Sequence, residues 1–239
     1  MAGDALRGCV LFDFDGVIAD TEKLHLDAYN RAFAAHAADI GGPLVISEER
    51  YFSAYIVFGN HEGITKMLTD AGRPTEPQLI ARLCEAKDAA FAARLHEFSN
   101  PLPGVRQVLA WLESHGVPRA ICSGAAKHEI VDLLAAFDLT RHFEIIVSIE
   151  DVTVGKPNPE GYRKAFDLLN AHHGGVLSKE KSFVIEDSAG GCKAGKAAGL
   201  RVVGVATSLP LEKVACYADE AVATLEALDG VRLGRLLGI

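Results

Sequence analysis

The spacing of apolar positions changes once along the chain, near residue 100, and that change divides it. Cys9-Val10-Leu11-Phe12 is a run of four consecutive apolar residues, the pattern of a strand buried on both faces of a parallel sheet. It breaks into Asp13-Phe14-Asp15-Gly16-Val17. From there to about Asn100 the spacing is helical. Asp20 or Thr21 caps a helix carrying Leu26, Tyr29 and Phe33, and Ser47 with Glu48 and Glu49 marks a second start. Ile64, Met67, Leu68 and Ala71 make a short amphipathic turn-and-a-half ended by Gly72. Thr75 opens the longest helix, with Leu79, Ile80, Leu83, Ala90, Phe91, Leu95 and Phe98 on one stripe.

Asn100-Pro101-Leu102-Pro103-Gly104 has the composition of a linker. After it, helices and short apolar strands alternate. Helices are predicted over Val105–Ser114, Lys127–Phe137, Pro159–Leu169 and Ala189–Ala198. Strands are predicted over Arg119–Cys122, Glu144–Ser148, Ser182–Ile185 and Arg201–Ala206. Such alternation predicts an α/β fold with a doubly wound parallel sheet. The core is then discontinuous, residues 1–19 with 101–239, and residues 20–100 form an inserted, small, all-helical domain.

Composition narrows the function classes. In 239 residues, 49% are apolar, enough for a sizeable core. A formal net charge of −8 argues against nucleic acid as a partner. No apolar run is long enough to span a membrane, and residues Met1 to Gly8 lack a signal-peptide pattern. Five cysteines, at 9, 84, 122, 192 and 216, form no C-x-x-C pair and suit a reducing compartment. A soluble, cytoplasmic monomer is expected.

Ligands of doubly wound sheets bind beyond the carboxyl ends of the strands, so the polar residues that follow each strand are the candidates. Asp13 and Asp15 follow the first. They admit two readings, a capped turn or a site for a divalent cation and acid/base work. Ser123-Gly124 follows the second strand, a plain helix cap or a hydroxyl and open backbone amides for an anion. Lys156, in Gly155-Lys156-Pro157-Asn158-Pro159, is either solvated or a point charge for phosphate oxygens. Glu186-Asp187 is a helix N-cap or a second pair of carboxylates for magnesium. Together, in this order, the four stretches fit a phosphate monoester on a magnesium ion.

Asp13-Phe14-Asp15-Gly16-Val17, Ser123, Lys156 and Glu186-Asp187 resemble the four motifs of the haloacid dehalogenase-like (HAD) hydrolase superfamily, and the similarity covers essentially the whole chain. The helical insert resembles the small C1-type cap of the branch holding phosphoglycolate phosphatase, sugar-phosphate phosphatases and beta-phosphoglucomutase. The resemblance implies Asp13 as the nucleophile and Asp15 as general acid/base. It implies Ser123, Gly124 and Lys156 on the phosphoryl group, and Mg2+ held by Asp13, Asp15, Asp187 and Glu186. Asp15 is the residue that the dehalogenases lack, so phosphoryl transfer is implied instead.

Asp20-Thr21 followed by His25 matches the beta-phosphoglucomutase-like branch, and Lys87, a cation on an apolar stripe, matches a substrate-contacting cap lysine. From the residues alone, His25 is a polar residue on a helix face and Lys87 snorkels. Two departures from the mutase stand out. Its phosphate-gripping cap arginine is replaced near Asn60, in Gly59-Asn60-His61-Glu62, and Gly124-Ala125-Ala126 lacks its Ser-Lys pair. The expectation is therefore a magnesium-dependent phosphatase of a small phosphorylated metabolite, a sugar phosphate. The alternatives are a beta-phosphoglucomutase-like phosphomutase and, more remotely, a non-enzymatic phospho-acceptor of receiver type, which is about half this length and has no insert. His172-His173, remote from every motif, is read as solvated rather than as a metal site.

Overall fold

The computed structural model describes residues 7–56, 58–94 and 100–239. The chain divides into two compact units, Met1–Asp20 with Asn100–Ile239, and Thr21–Ser99. Strand β1 (Val10–Phe12) leads into helices α1 (Glu22–Ala35), α2 (Glu48–Ala54), α3 (Asn60–Asp70) and α4 (Pro77–Ala92) of the second unit. The first unit resumes with α5 (Val105–Ser114), β2 (Arg119–Cys122), α6 (Lys127–Ala136), β3 (Ile145–Val147) and α7 (Glu160–His172). It continues through β4 (Phe183–Glu186), α8 (Ala189–Ala197), β5 (Arg201–Val205), α9 (Leu211–Val214), β6 (Glu220–Val222) and α10 (Gly230–Leu237).

All six strands are parallel, in the order β3-β2-β1-β4-β5-β6. β1 is central: Leu11 pairs with Ala120 on one side and Val184 on the other. Its three residues are wholly buried, as an uninterrupted apolar run between two helical layers requires. The strand order reverses beside β1, so its carboxyl end opens at the switch point where doubly wound sheets bind ligands. Helix α7 covers β2 and β3 with Tyr162, Ala165, Phe166 and Leu169, spaced on one helical stripe.

The second unit has its own core, in which Tyr29 and Phe33 of α1 meet Tyr51, Ile64, Met67, Leu68, Ile80 and Leu83. Among its described residues there is no strand. Leu95 and Phe98, expected on the stripe of the fourth helix, lie outside the described residues. Among the described residues no helix is long and apolar enough to cross a membrane.

Several expectations need correction. The turn-and-a-half around Ile64 is an eleven-residue helix, because its polar first turn, Asn60-His61-Glu62, is helical too. Helix α4 begins at Pro77 and not at Thr75, since proline suits the first helical position, where no amide hydrogen is needed. Helix α7 runs on to His172, past Leu169. Strand β6 and helix α10 have no counterpart in the pattern analysis. β6 is a three-residue edge strand with only Val222 buried, and α10 starts on the Asp229 cap, whose carboxylate accepts the Arg232 amide at 2.8 Å.

Candidate active site

Asp13 is the first residue beyond β1, and its amide continues the ladder by donating to the Ile185 carbonyl at 3.0 Å. After it the chain turns sharply: the amides of Val17, Ile18 and Ala19 all converge on the Phe14 carbonyl, at 3.3, 2.8 and 3.1 Å. Gly16 makes the turn at φ +74°, and a Cβ there would stand 1.8 Å from Asp187 Oδ2. Only glycine fits, for both conformation and space.

Lys156 binds the cluster together. Its ammonium lies 2.8 Å from Asp13 Oδ1 and 2.7 Å from Glu186 Oε1. The loop that carries it is fixed locally: the Glu160 carboxylate accepts the amides of Thr153 and Val154 at 2.8 and 3.0 Å, and Asn158 Oδ1 accepts that of Glu160 at 3.0 Å. Glu186 is the last residue of β4 rather than the residue after it, and it is wholly buried. Its Oε1 also accepts the Tyr162 hydroxyl at 2.9 Å, while Oε2 accepts the Asp187 and Ser188 amides at 3.0 Å and the Ser188 hydroxyl at 2.9 Å. Gly191 leaves room for this, because a Cβ there would lie 1.6 Å from Glu186 Oε1.

The charges follow from burial. Asp13 is pushed well above the ordinary aspartate range by burial and then by the Glu186 charge, with Lys156 only partly offsetting them. Burial acts the same way on Glu186, but the Lys156 charge and hydrogen bond, with those from Ser188, bring it below its ordinary value. Burial would lower Lys156, yet the two carboxylates outweigh it and hold its pKa high. Buried Tyr162, beside Glu186, is held well above the usual phenol value and stays a donor.

Carboxylate oxygens of Asp13, Glu186 and Asp187 lie within 4.8 Å of one another and could hold a metal ion. Three acids around one lysine leave negative charge uncompensated, and hard oxygens are the donors that magnesium prefers. The two oxygens of Glu186 are heavily committed to hydrogen bonds, so Asp13 and Asp187 are the better placed ligands.

Ser123 follows β2, and its hydroxyl accepts the Ala125 amide at 3.0 Å and makes a long 3.4 Å contact to Asp15 Oδ2. Its neighbour Gly124 precedes α6, which begins at Lys127 as the sequence predicts, after Ala126. Gly124 is exposed, and a Cβ there would meet nothing within 4 Å. A small cavity of about 20 Å³ adjoins Ser123, Gly124 and Lys156.

In the helical unit, Thr21 occupies the N-cap position of α1, but its side chain makes no capping bond; its carbonyl accepts the His25 amide at 2.8 Å. The imidazole of His25 stacks on Phe91 at 4.3 Å, and the same ring takes the Lys87 ammonium at 4.7 Å from its centre. Lys87 is wholly buried, with Tyr29 at 5.7 Å and Asp88 Oδ1 at 3.5 Å. Burial, and then the Lys87 charge, hold His25 well below its ordinary pKa. Asn60 is engaged by Tyr29 at 3.0 Å and Asp88 at 2.6 Å.

Sequence reasoning passed over two residues of the site. Tyr162 sits on the buried stripe of α7 as its only hydroxyl, and a buried phenol needs a partner. Ser208 donates to Asp187 Oδ2; it lies just past β5, at the same carboxyl edge as the other site residues.

Residues 8–199 match the family described as haloacid dehalogenase-like hydrolase. A phosphorylated carbohydrates phosphatase of Thermotoga maritima is 33% identical over 84% of this chain and 86% of its own length. Protein CbbY of Cereibacter sphaeroides is 30% identical over 81% and 82%. The crystal structure of a CbbY variant from Rhodobacter sphaeroides in complex with xylulose-(1,5)bisphosphate superposes with a TM-score of 0.78 over 93% of this chain and 96% of that one, at 25% identity. With four-fifths of the chain matched in sequence and the sheet order, strand-end acids and lysine in place, the chain belongs to the haloacid dehalogenase-like hydrolase family.

Proposed function

We propose that this chain is a magnesium-dependent phosphatase of a small phosphorylated metabolite, a sugar phosphate, acting through a phosphorylated Asp13. That it hydrolyses phosphate esters rests on its family and on relatives named as phosphatases. The observation that carries the finer reading is the Asp13 carboxylate, held by Lys156 at 2.8 Å at the switch point, with Asp15 two residues on.

Asp13 attacks phosphorus in line, its carboxylate forming a new P–O bond as the ester P–O bond breaks. Asp15 gives its proton to the departing alkoxide. It then takes a proton from water as that water attacks the phosphorus of the Asp13 phosphate, which releases inorganic phosphate and restores the free carboxylate. Lys156 and the Ser123 hydroxyl orient the phosphoryl oxygens and stabilise their charge. Glu186, braced by Tyr162 and Ser188, positions Lys156. Asp13, Asp187 and the Asp15 main-chain carbonyl would hold magnesium, which would supply positive charge to the phosphoryl oxygens and to Asp13. In the helical unit Thr21, His25 and Lys87 are the candidate recognition residues, and the engagement of Asn60 by Tyr29 and Asp88 supports hydrolysis over mutase chemistry, which must grip a second phosphate.

The test is phosphate release across a panel of sugar phosphates with magnesium and after chelation. Beta-glucose 1-phosphate with a bisphosphate primer is included, with free phosphate compared against glucose 6-phosphate. Magnesium-dependent phosphate release is expected to dominate; mostly glucose 6-phosphate would establish a mutase.

A further inference from the structure

Helix α7 ends on two consecutive histidines, His172 and His173, that the active site does not use. Beyond them Gly174 and Gly175 turn the chain away at φ +74° and +80°. The turn is fixed by the Gly175 amide on the Asn170 carbonyl at 2.8 Å, and Asn170 Oδ1 accepts the Leu177 amide at 2.8 Å. Facing the two imidazoles is Glu144, the residue before edge strand β3. One oxygen of this carboxylate, Oε2, takes both: His173 Nε2 lies at 2.5 Å and His172 Nε2 at 3.7 Å. The rings stand nearly perpendicular, 5.3 Å apart, so their nitrogens converge without the rings stacking.

From these contacts we infer a binding site for a divalent first-row transition ion, of zinc type, made by Glu144, His172 and His173. Donor atoms of the three residues lie within 4.8 Å of one another. Tetrahedral bonds of about 2.0–2.1 Å place ligand atoms roughly 3.3 Å apart, a separation that the two observed distances bracket. Small side-chain rotations therefore suffice to admit an ion. Two imidazoles and a carboxylate form a borderline-soft donor set that selects zinc, nickel or copper over magnesium. The helix adds to this, because the carbonyls of its last turn carry partial negative charge that favours a cation. His172 and Glu144 are solvent-accessible, which leaves an entry path and open positions for water. The site lies at the amino end of β3, whereas the acids beside Lys156 lie at the carboxyl ends of β1 and β4. An ion here ties the end of α7 to the edge of the sheet, a structural tether separate from the chemistry.

The experiment is calorimetric Zn2+ titration of the full chain in excess magnesium, with thermal unfolding recorded in parallel. The wild type is expected to bind one equivalent and to unfold at higher temperature with Zn2+. His172→Ala, His173→Ala and Glu144→Gln, each losing a direct ligand, should weaken binding by on the order of tenfold or more and abolish the thermal shift. His172 is the most exposed of the three, so His172→Ala serves should either other variant fail to fold. Absence of Zn2+ binding, or equal binding by wild type and variants, would overturn the site.

Discussion

The two units each bury a lysine, and they solve its burial differently. Lys156 is matched by two carboxylates at hydrogen-bonding distance, and those carboxylates are further bonded by Tyr162, Ser188 and main-chain amides. Lys87 faces the rings of Phe91 and Tyr29, with Asp88 at the edge of reach. Rings attract a cation with about 0.5–2 kcal/mol, far less than a buried carboxylate pair. The first arrangement holds a charge rigidly beside the carboxyl end of β1. The second sets a charge on an apolar stripe, against two aromatic rings. The contrast is between a lysine matched by carboxylates, in the sheet unit, and one packed against rings, in the helical one.

The largest effect should come from the sheet unit. Asp13→Asn keeps shape but removes the nucleophile, so turnover should fall by on the order of 10⁴ or more with the fold intact by circular dichroism. Lys156→Met should reduce kcat by about 10²–10³ and also destabilise the unit by about 3–5 kcal/mol, since two buried acids lose their counter-ion. Denaturant unfolding measures the second part; a variant as stable as wild type would mean that Lys156 is not the charge holding the acids. Tyr162→Phe removes one bond to Glu186 and should cost about 1–2 kcal/mol, with a small loss in kcat through a less fixed lysine.

The helical unit should respond most weakly, and through pH. His25 is held well below 6.5 by burial and by Lys87. Below pH 6.5 the unfolded chain binds a proton there that the folded chain does not, so stability falls as pH drops through that value. In His25→Gln this component disappears, making its stability less sensitive to acid by up to about 1.4 kcal/mol per pH unit. Parallel pH profiles for the two proteins would show that His25 is not buried neutral.

The same contrast explains what was legible in the sequence. A four-residue apolar run ending in two acids has few uses, and alternating strands and helices fix where the run lies. Asp13, Lys156, Glu186 and Asp187 were therefore visible as strand-end polar residues, and they do gather at one place. Tyr162 was hidden because a helix stripe treats a tyrosine as apolar, and Ser208 because a lone serine after a strand is common. The role of Glu186 was also invisible: adjacency to Asp187 suggests two metal ligands, whereas only coordinates show its oxygens bonded to lysine, tyrosine and amides. In the other unit it was the family resemblance that brought out His25 and Lys87, one at a time; their shared contact with the Phe91 ring belongs to tertiary structure.

The account turns on Asp13 accepting the phosphoryl group, and trapping that adduct tests it most directly. In Asp15→Ala the water step loses its base, so the intermediate should accumulate during turnover of an activated aryl phosphate. Acid quenching, borohydride reduction and peptide mapping should then find Asp13 converted to homoserine, in amounts that track the phosphate burst. Label at another residue, or a phosphate burst with no modified aspartate, would contradict the account.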